Sequence, residues 1–107
     1  MDRQALVAIT TVGTEADARA LVTTLVEDRI IACGTLLVGA RSIYRWDGKV
    51  VEESEVVVLF KTDTAHWEAL RDAVERRHPY QVPELLALPV TDGAARYLQW
   101  LAGEVAR

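Results

Sequence analysis

Two long strand-forming runs meet at Asp47-Gly48, and this feature narrows the fold more than any other in the sequence. Ile30 to Trp46 and Val50 to Thr62 are rich in apolar and β-branched residues, the second run containing Val56-Val57-Val58-Leu59-Phe60. Asp-Gly between two such runs predicts a hairpin, because a tight reversal that matches strand twist needs residues tolerant of positive φ. Gly34 and Gly39 are candidate bulges in the outgoing strand. Taken from Cys33, that strand counts 14 residues. Straight, it reaches about 46 Å at about 3.3 Å per residue. A single domain of 107 residues has a diameter of only about 34 Å. The hairpin therefore overhangs its own core. Ile43, Tyr44, Trp46, Val50 and Val51 lie on the overhanging end, where exposed aromatics and unpaired strand edges drive association. The expectation is a closed oligomer in which each hairpin pairs with a neighbour's sheet. A hairpin free in water, or bent at its glycines, is the alternative.

The rest of the chain supplies the partners of this hairpin. Ala5 to Val12 is a continuous apolar run closed by Gly13, which predicts a strand buried on both faces. Thr14 is a suitable N-cap, with Glu15 and Asp17 placing negative charge in the first turn of a helix that runs to about Arg29. Ala18, Leu21, Val22, Leu25 and Val26 form its apolar stripe. Asp63 or Thr64 caps a second helix carrying Trp67, Leu70, Val74 and Arg77 on one face, stopped by Pro79. Leu85 to Val90 reads as a short strand whose Pro89 places it at an edge or a terminus. Asp92 is a candidate cap for a last helix with Tyr97, Leu98, Leu101 and Val105 on one side. The predicted class is α+β: a ferredoxin-like βαββαβ sandwich with a long central hairpin and a C-terminal helix, one domain over residues 1–107.

Composition excludes several functions. The formal net charge is −4 without a basic cluster, which argues against nucleic acid as a partner. No apolar run is long enough to span a membrane. Cys33 is the single cysteine, so the chain holds no internal disulfide and a reducing, cytoplasmic setting is expected. Nucleophile elbows, phosphate-binding glycine loops, H-E-x-x-H and C-x-x-C are all missing, and the chain is expected not to be an enzyme.

The most unusual segment is His78-Pro79-Tyr80-Gln81-Val82-Pro83-Glu84. Its prolines stiffen the backbone around an imidazole, a phenol and a carboxylate. His78 and Glu84 are candidate ligands for a divalent metal; a rigid connector whose polar groups satisfy backbone atoms is the alternative. Cys33, at a strand start, is a small buried hydrophobe or a thiolate ligand. His66 is expected in water. Lys61 follows a five-residue apolar run and needs a carboxylate partner or an exit to water. Lys61, Tyr80, Tyr44, Trp46 and Trp100 are the candidate pocket or interface residues.

Together these segments resemble the CutA family of divalent-cation tolerance proteins. The resemblance rests on Leu25-Val26-Glu27 through Ala32-Cys33, Ser42-Ile43-Tyr44-Arg45-Trp46-Asp47-Gly48-Lys49, Leu59-Phe60-Lys61-Thr62, the His78 to Glu84 segment, Leu88-Pro89-Val90 and Tyr97-Leu98-Gln99-Trp100-Leu101. It implies a homotrimer, an architecture similar to PII signalling proteins, and a part in tolerance of copper and other divalent ions. Gly34 stands where members often carry Asn, and Gln81 where acidic residues are common. Thr10 and Arg77 replace the Cys and His proposed as copper ligands in some members, and of that set only Glu84 carries over. Copper held weakly by His78, Glu84 and Cys33, and not required for folding, is the leading expectation. A PII-like site for a small anionic metabolite at subunit clefts, and a purely structural or partner-binding trimer, are the others.

Overall fold

In the computed structural model, which describes residues 4–106, the elements follow the predicted order. They are β1 (Ala5–Val12), α1 (Glu15–Glu27), β2 (Cys33–Trp46), β3 (Lys49–Asp63), α2 (Trp67–Arg77), β4 (Leu86–Pro89) and α3 (Ala95–Glu104). The strands form one four-stranded sheet in the order β2-β3-β1-β4, with every pairing antiparallel. This is the ferredoxin-like arrangement, and Pro89 lies on an edge strand as expected.

The core lies between one face of the sheet and the first two helices. Ala8, Val12, Val58 and Phe60 meet Ala18, Leu21 and Leu25 of α1 and Leu70 and Val74 of α2. Burial alternates along β1, with Leu6, Ala8, Thr10 and Val12 buried and the residues between them only half-buried. The expectation of a first strand covered on both faces is thus corrected for the single subunit. Val7, Ile9, Val57 and Leu59 share the second face with Leu86 and Leu88, which register with Ile9 and Val7. Leu86 is 57% and Leu88 49% exposed. One end of this face is closed by α3, where Leu101 and, just after the helix, Val105 pack on Ala5 and Ala32.

The hairpin turns through Asp47 (φ 52°) and Gly48 (φ 78°), the two positive-φ positions of the favoured reversal. The molecule measures 45 × 25 × 23 Å, so the arm projects beyond the core as its length requires. One bulge interrupts it, between Leu37 and Ala40, with Gly39 at φ +85°. Gly34 is no bulge. A Cβ there would come within 2.7 Å of a Val22 methyl, so glycine lets α1 approach β2.

Several local expectations shift. Val26 is exposed rather than part of the apolar stripe, and Arg77 is exposed too. Asp63 caps a short 3-10 turn, Thr64–His66, ahead of α2. His66 is not left to water: its Nδ1 lies 2.6 Å from an Asp63 carboxylate oxygen. Asp92 bonds the Gly93 amide, and α3 starts after Ala94 without a side-chain cap. Lys61 finds no carboxylate among the described residues; its ammonium donates to the exposed Thr35 hydroxyl.

Candidate functional site

The bulge at Gly39 decides what the hairpin presents. Before it, Thr35 and Leu37 lie opposite Leu59 and Val57; after it, Ala40 and Ser42 lie opposite Glu55 and Glu53. One extra residue reverses the alternation. Tyr44 and Trp46 therefore share the second sheet face with Glu53 and Glu55, where an uninterrupted strand would have put Ile43 and Arg45.

The segment from His78 to Glu84 closes the space beneath this arm. Its conformation is fixed by hydrogen bonds to β1. His78 ends α2 in extended backbone (ψ 135°), as a residue before proline prefers. Its Nε2 donates to the Thr11 carbonyl at 2.8 Å, and its Nδ1 accepts from the Tyr80 amide at 3.1 Å. Those two partners fix the tautomer, since a carbonyl only accepts and an amide only donates. Both ring nitrogens are thereby engaged, and His78 positions the segment as the connector reading expects. The Thr10 hydroxyl adds a 2.6 Å bond to the Glu84 carbonyl.

The Tyr80 ring lies 4.7 Å from that of His78, and its hydroxyl donates to Glu55 Oε2 at 2.5 Å. Tyr44 donates in the same way to Glu53. Glu55 is only 5% exposed, and among the described residues Tyr80 is its one hydrogen-bond partner. Burial, and then the bond to Glu55, push the Tyr80 phenol well above the ordinary tyrosine range. The bond to Glu53 is the main cause raising Tyr44. Both phenols are thus held as donors to carboxylates. The half-open cavity has a volume of about 570 Å³, within the size range of small-ligand sites. Glu53, Glu55 and Glu84 supply its charge, Tyr44, Trp46 and Tyr80 its aromatic wall, and Ile43 and Val82 apolar surface.

Sequence and structure now agree on the family: the model of the CutA1 divalent ion tolerance proteins matches residues 6–104. The chain belongs to the CutA1 family. It is 48% identical over 97 residues to the divalent-cation tolerance protein CutA of Pectobacterium atrosepticum, covering 91% of this chain and 88% of that one. A Salmonella newport protein of the same description is 46% identical over 98 residues, covering 92% and 85%. Among solved structures, a divalent cation tolerance protein from Thermus thermophilus superimposes with a TM-score of 0.92 at 42% identity, covering 95% of this chain and 99% of that one. CutA from Xylella fastidiosa does so at 0.94 and 34% identity, covering 96% and 99%.

In this CutA1 chain the expected site residues divide between two places. Tyr44, Trp46, Tyr80 and Glu84 meet at the cavity, with His78 behind Tyr80. Cys33, Lys61 and Trp100 do not line it. Cys33 pairs with Lys61, which pairs with Val7; Thr11, the cavity's residue on β1, lies about 13 Å further along the strand. The Cys33 sulfur instead sits 3.7 Å from the Tyr97 hydroxyl, and the Tyr97 ring lies 5.7 Å from that of Trp100. Burial is the main cause raising the Tyr97 phenol, with the bond to Cys33 next. Within one subunit Cys33 therefore joins neither His78 nor Glu84. Among the described residues no three His, Cys, Asp or Glu side chains stand close enough to hold a metal ion, and no helix is long and apolar enough to cross a membrane. Thr10 serves the backbone at Glu84. Glu53 and Glu55 were missing from the sequence-derived set: alternation along β3 puts them on the face of Val57 and Leu59, but only the β2 bulge brings Tyr44 and Trp46 to the same face.

Proposed function

We propose that this chain is a cytoplasmic, homotrimeric CutA1 protein that acts in tolerance of divalent cations. In this reading it binds copper and similar ions weakly in the cavity beneath the hairpin. The family gives the divalent-cation context. The observation that carries the site is Glu55, a nearly buried carboxylate that faces the cavity with a tyrosine hydroxyl as its partner. A carboxylate so placed favours a cation over bulk water, because the surroundings screen its charge poorly. Glu53 and Glu84 stand on the same cavity. Weak binding follows from the chemistry: tight sites fix three or four ligands with a supporting shell, and here the carboxylates are not gathered into one such group. Copper leads because it heads the divalent affinity order. His78 acts by holding Tyr80 and the Glu84 segment, and Cys33 belongs to a separate cluster that reaches a metal only through a neighbouring subunit.

Support for the trimer comes from the uncovered apolar face and the projecting arm, with the number three taken from the family resemblance. The single thiol suits a reducing cytoplasm. The role is binding rather than catalysis, and metal is not needed for folding. An anionic metabolite is the weaker reading, since the cavity's described lining carries three glutamates and neither lysine nor arginine. Calorimetric titration with copper(II) tests the proposal. Dissociation constants of micromolar or weaker are expected, raised several-fold in Glu84→Gln and Glu55→Gln, with an unchanged melting curve in chelator. Nanomolar affinity, or equal binding by all three proteins, contradicts it.

A further inference from the structure

The same cavity carries a second observation that a metal ion does not use. Its charge is spread rather than gathered. Glu53 and Glu55 stand on β3, whereas Glu84 stands on the segment before β4, and among the described residues no three such side chains gather closely enough to hold a metal ion. Between them lie Tyr44, Trp46 and Tyr80, together with Ile43 and Val82. A divalent ion draws its oxygen ligands in to about 2.0–2.6 Å, and aromatic walls contribute nothing to such coordination. Separated carboxylates joined by aromatic and apolar surface suit a different cation, one whose charges are set apart by methylene groups.

We infer that this cavity binds a linear aliphatic diamine or polyamine, one ammonium at Glu53 and Glu55, the other at Glu84, with the chain along Trp46 and Tyr80. This goes beyond the divalent-cation reading and does not rest on it. The chemistry fits at each point. Glu55 is 5% exposed, and its one described hydrogen bond uses Oε2. That leaves Oε1 to accept from an ammonium. A primary ammonium carries three N–H donors and is strongest against carboxylates. The faces of Trp46, Tyr44 and Tyr80 attract a cation or pack on its methylenes. The tyrosine bonds to Glu53 and Glu55 hold the carboxylates in place without neutralising them. A cavity of about 570 Å³ is large for a hydrated ion and suited to a chain of several carbons.

The test is calorimetry of the intact protein with 1,4-diaminobutane and spermidine, using 1-butylamine and 1,4-butanediol as controls, while Trp46→Phe reports the origin of any change in tryptophan emission. Binding is expected for both amines with two or more charges. It should weaken by about tenfold for butylamine, vanish for the diol, and weaken by about tenfold or more in Glu84→Gln. Glu84 is exposed, so that variant keeps its fold; circular dichroism checks the riskier Glu55→Gln. Emission should change in the wild type and not in Trp46→Phe. Absence of diamine binding at millimolar concentration overturns the inference, as a cavity already filled by a neighbouring copy would produce. Equal binding of butylamine, or full binding by Glu84→Gln, also overturns it. A copper(II) titration run in parallel keeps the two readings apart. Copper without diamine leaves the metal reading alone standing, and diamine without copper leaves this one.

Discussion

Tyr80 is the residue on which the site depends. It joins the His78 ring, the backbone before β4 and the buried Glu55 carboxylate. Tyr80→Phe removes the donor and leaves Glu55 buried with a carboxylate lacking that partner, which costs about 1–3 kcal/mol. Urea denaturation at pH 7 measures this. The phenol also sets a pH dependence. Its ordinary value is 10, and folding raises it. Above pH 10 the unfolded chain loses a proton that the folded chain keeps, so stability falls as pH rises. The contribution is fully present below pH 10. Wild-type stability should therefore decline more steeply than that of Tyr80→Phe through this alkaline range, and parallel declines would show that the phenol is not held by Glu55. At this scale the sequence was only partly legible. The prolines around His78 and Tyr80 marked the segment as rigid. The partners of both rings, the Thr11 carbonyl and Glu55, come from strands distant in the chain, and nothing local names them.

Among the elements, the hairpin was the most legible and its bulge the least. Asp47-Gly48 fixed the turn, and the apolar runs fixed the strands, because side-chain periodicity and turn chemistry are local properties. The phase of a strand after a bulge is not local. Gly34 and Gly39 were equal candidates, yet Gly39 takes the positive φ and Gly34 the close contact with Val22. The two roles give different predictions. Gly39→Ala meets open space and carries only the left-handed backbone penalty, about 1–2 kcal/mol. Gly34→Ala drives a methyl into the Val22 side chain inside the α1–β2 packing and costs about 1–3 kcal/mol as overpacking. Val22→Ala should restore much of the second loss and none of the first. Thermal melts of these variants decide the matter; rescue of Gly39→Ala by Val22→Ala would reverse the assignment. The α2 start was misread for a related reason: Asp63 does cap, as expected, but it caps a 3-10 turn whose His66 returns to it.

As a whole molecule, the subunit is unfinished. One sheet face is packed by α1 and α2, while the other presents Val7, Ile9, Val57, Leu59, Leu86 and Leu88 with α3 closing only one end. The arm adds Tyr44 and Trp46 to the same side. The unbroken apolar run of β1 was legible as a strand covered twice, and the single subunit shows it covered once. In the proposed trimer, neighbouring subunits supply the second cover. Leu88→Asp separates the alternatives, because Leu88 is 49% exposed in the subunit. In a monomer such a surface change alters stability by no more than about 0.5 kcal/mol. In an oligomer packed on this face it strands a charge in an apolar interface and should dissociate or unfold the protein, seen as a loss of mass or of several degrees in melting temperature. The most direct measurement of the central claim is the solution mass of the wild-type protein by sedimentation equilibrium over a dilution series into the micromolar range. The account predicts three times the 11.9 kDa subunit mass at every concentration, and a stable species at the mass of one subunit would contradict it.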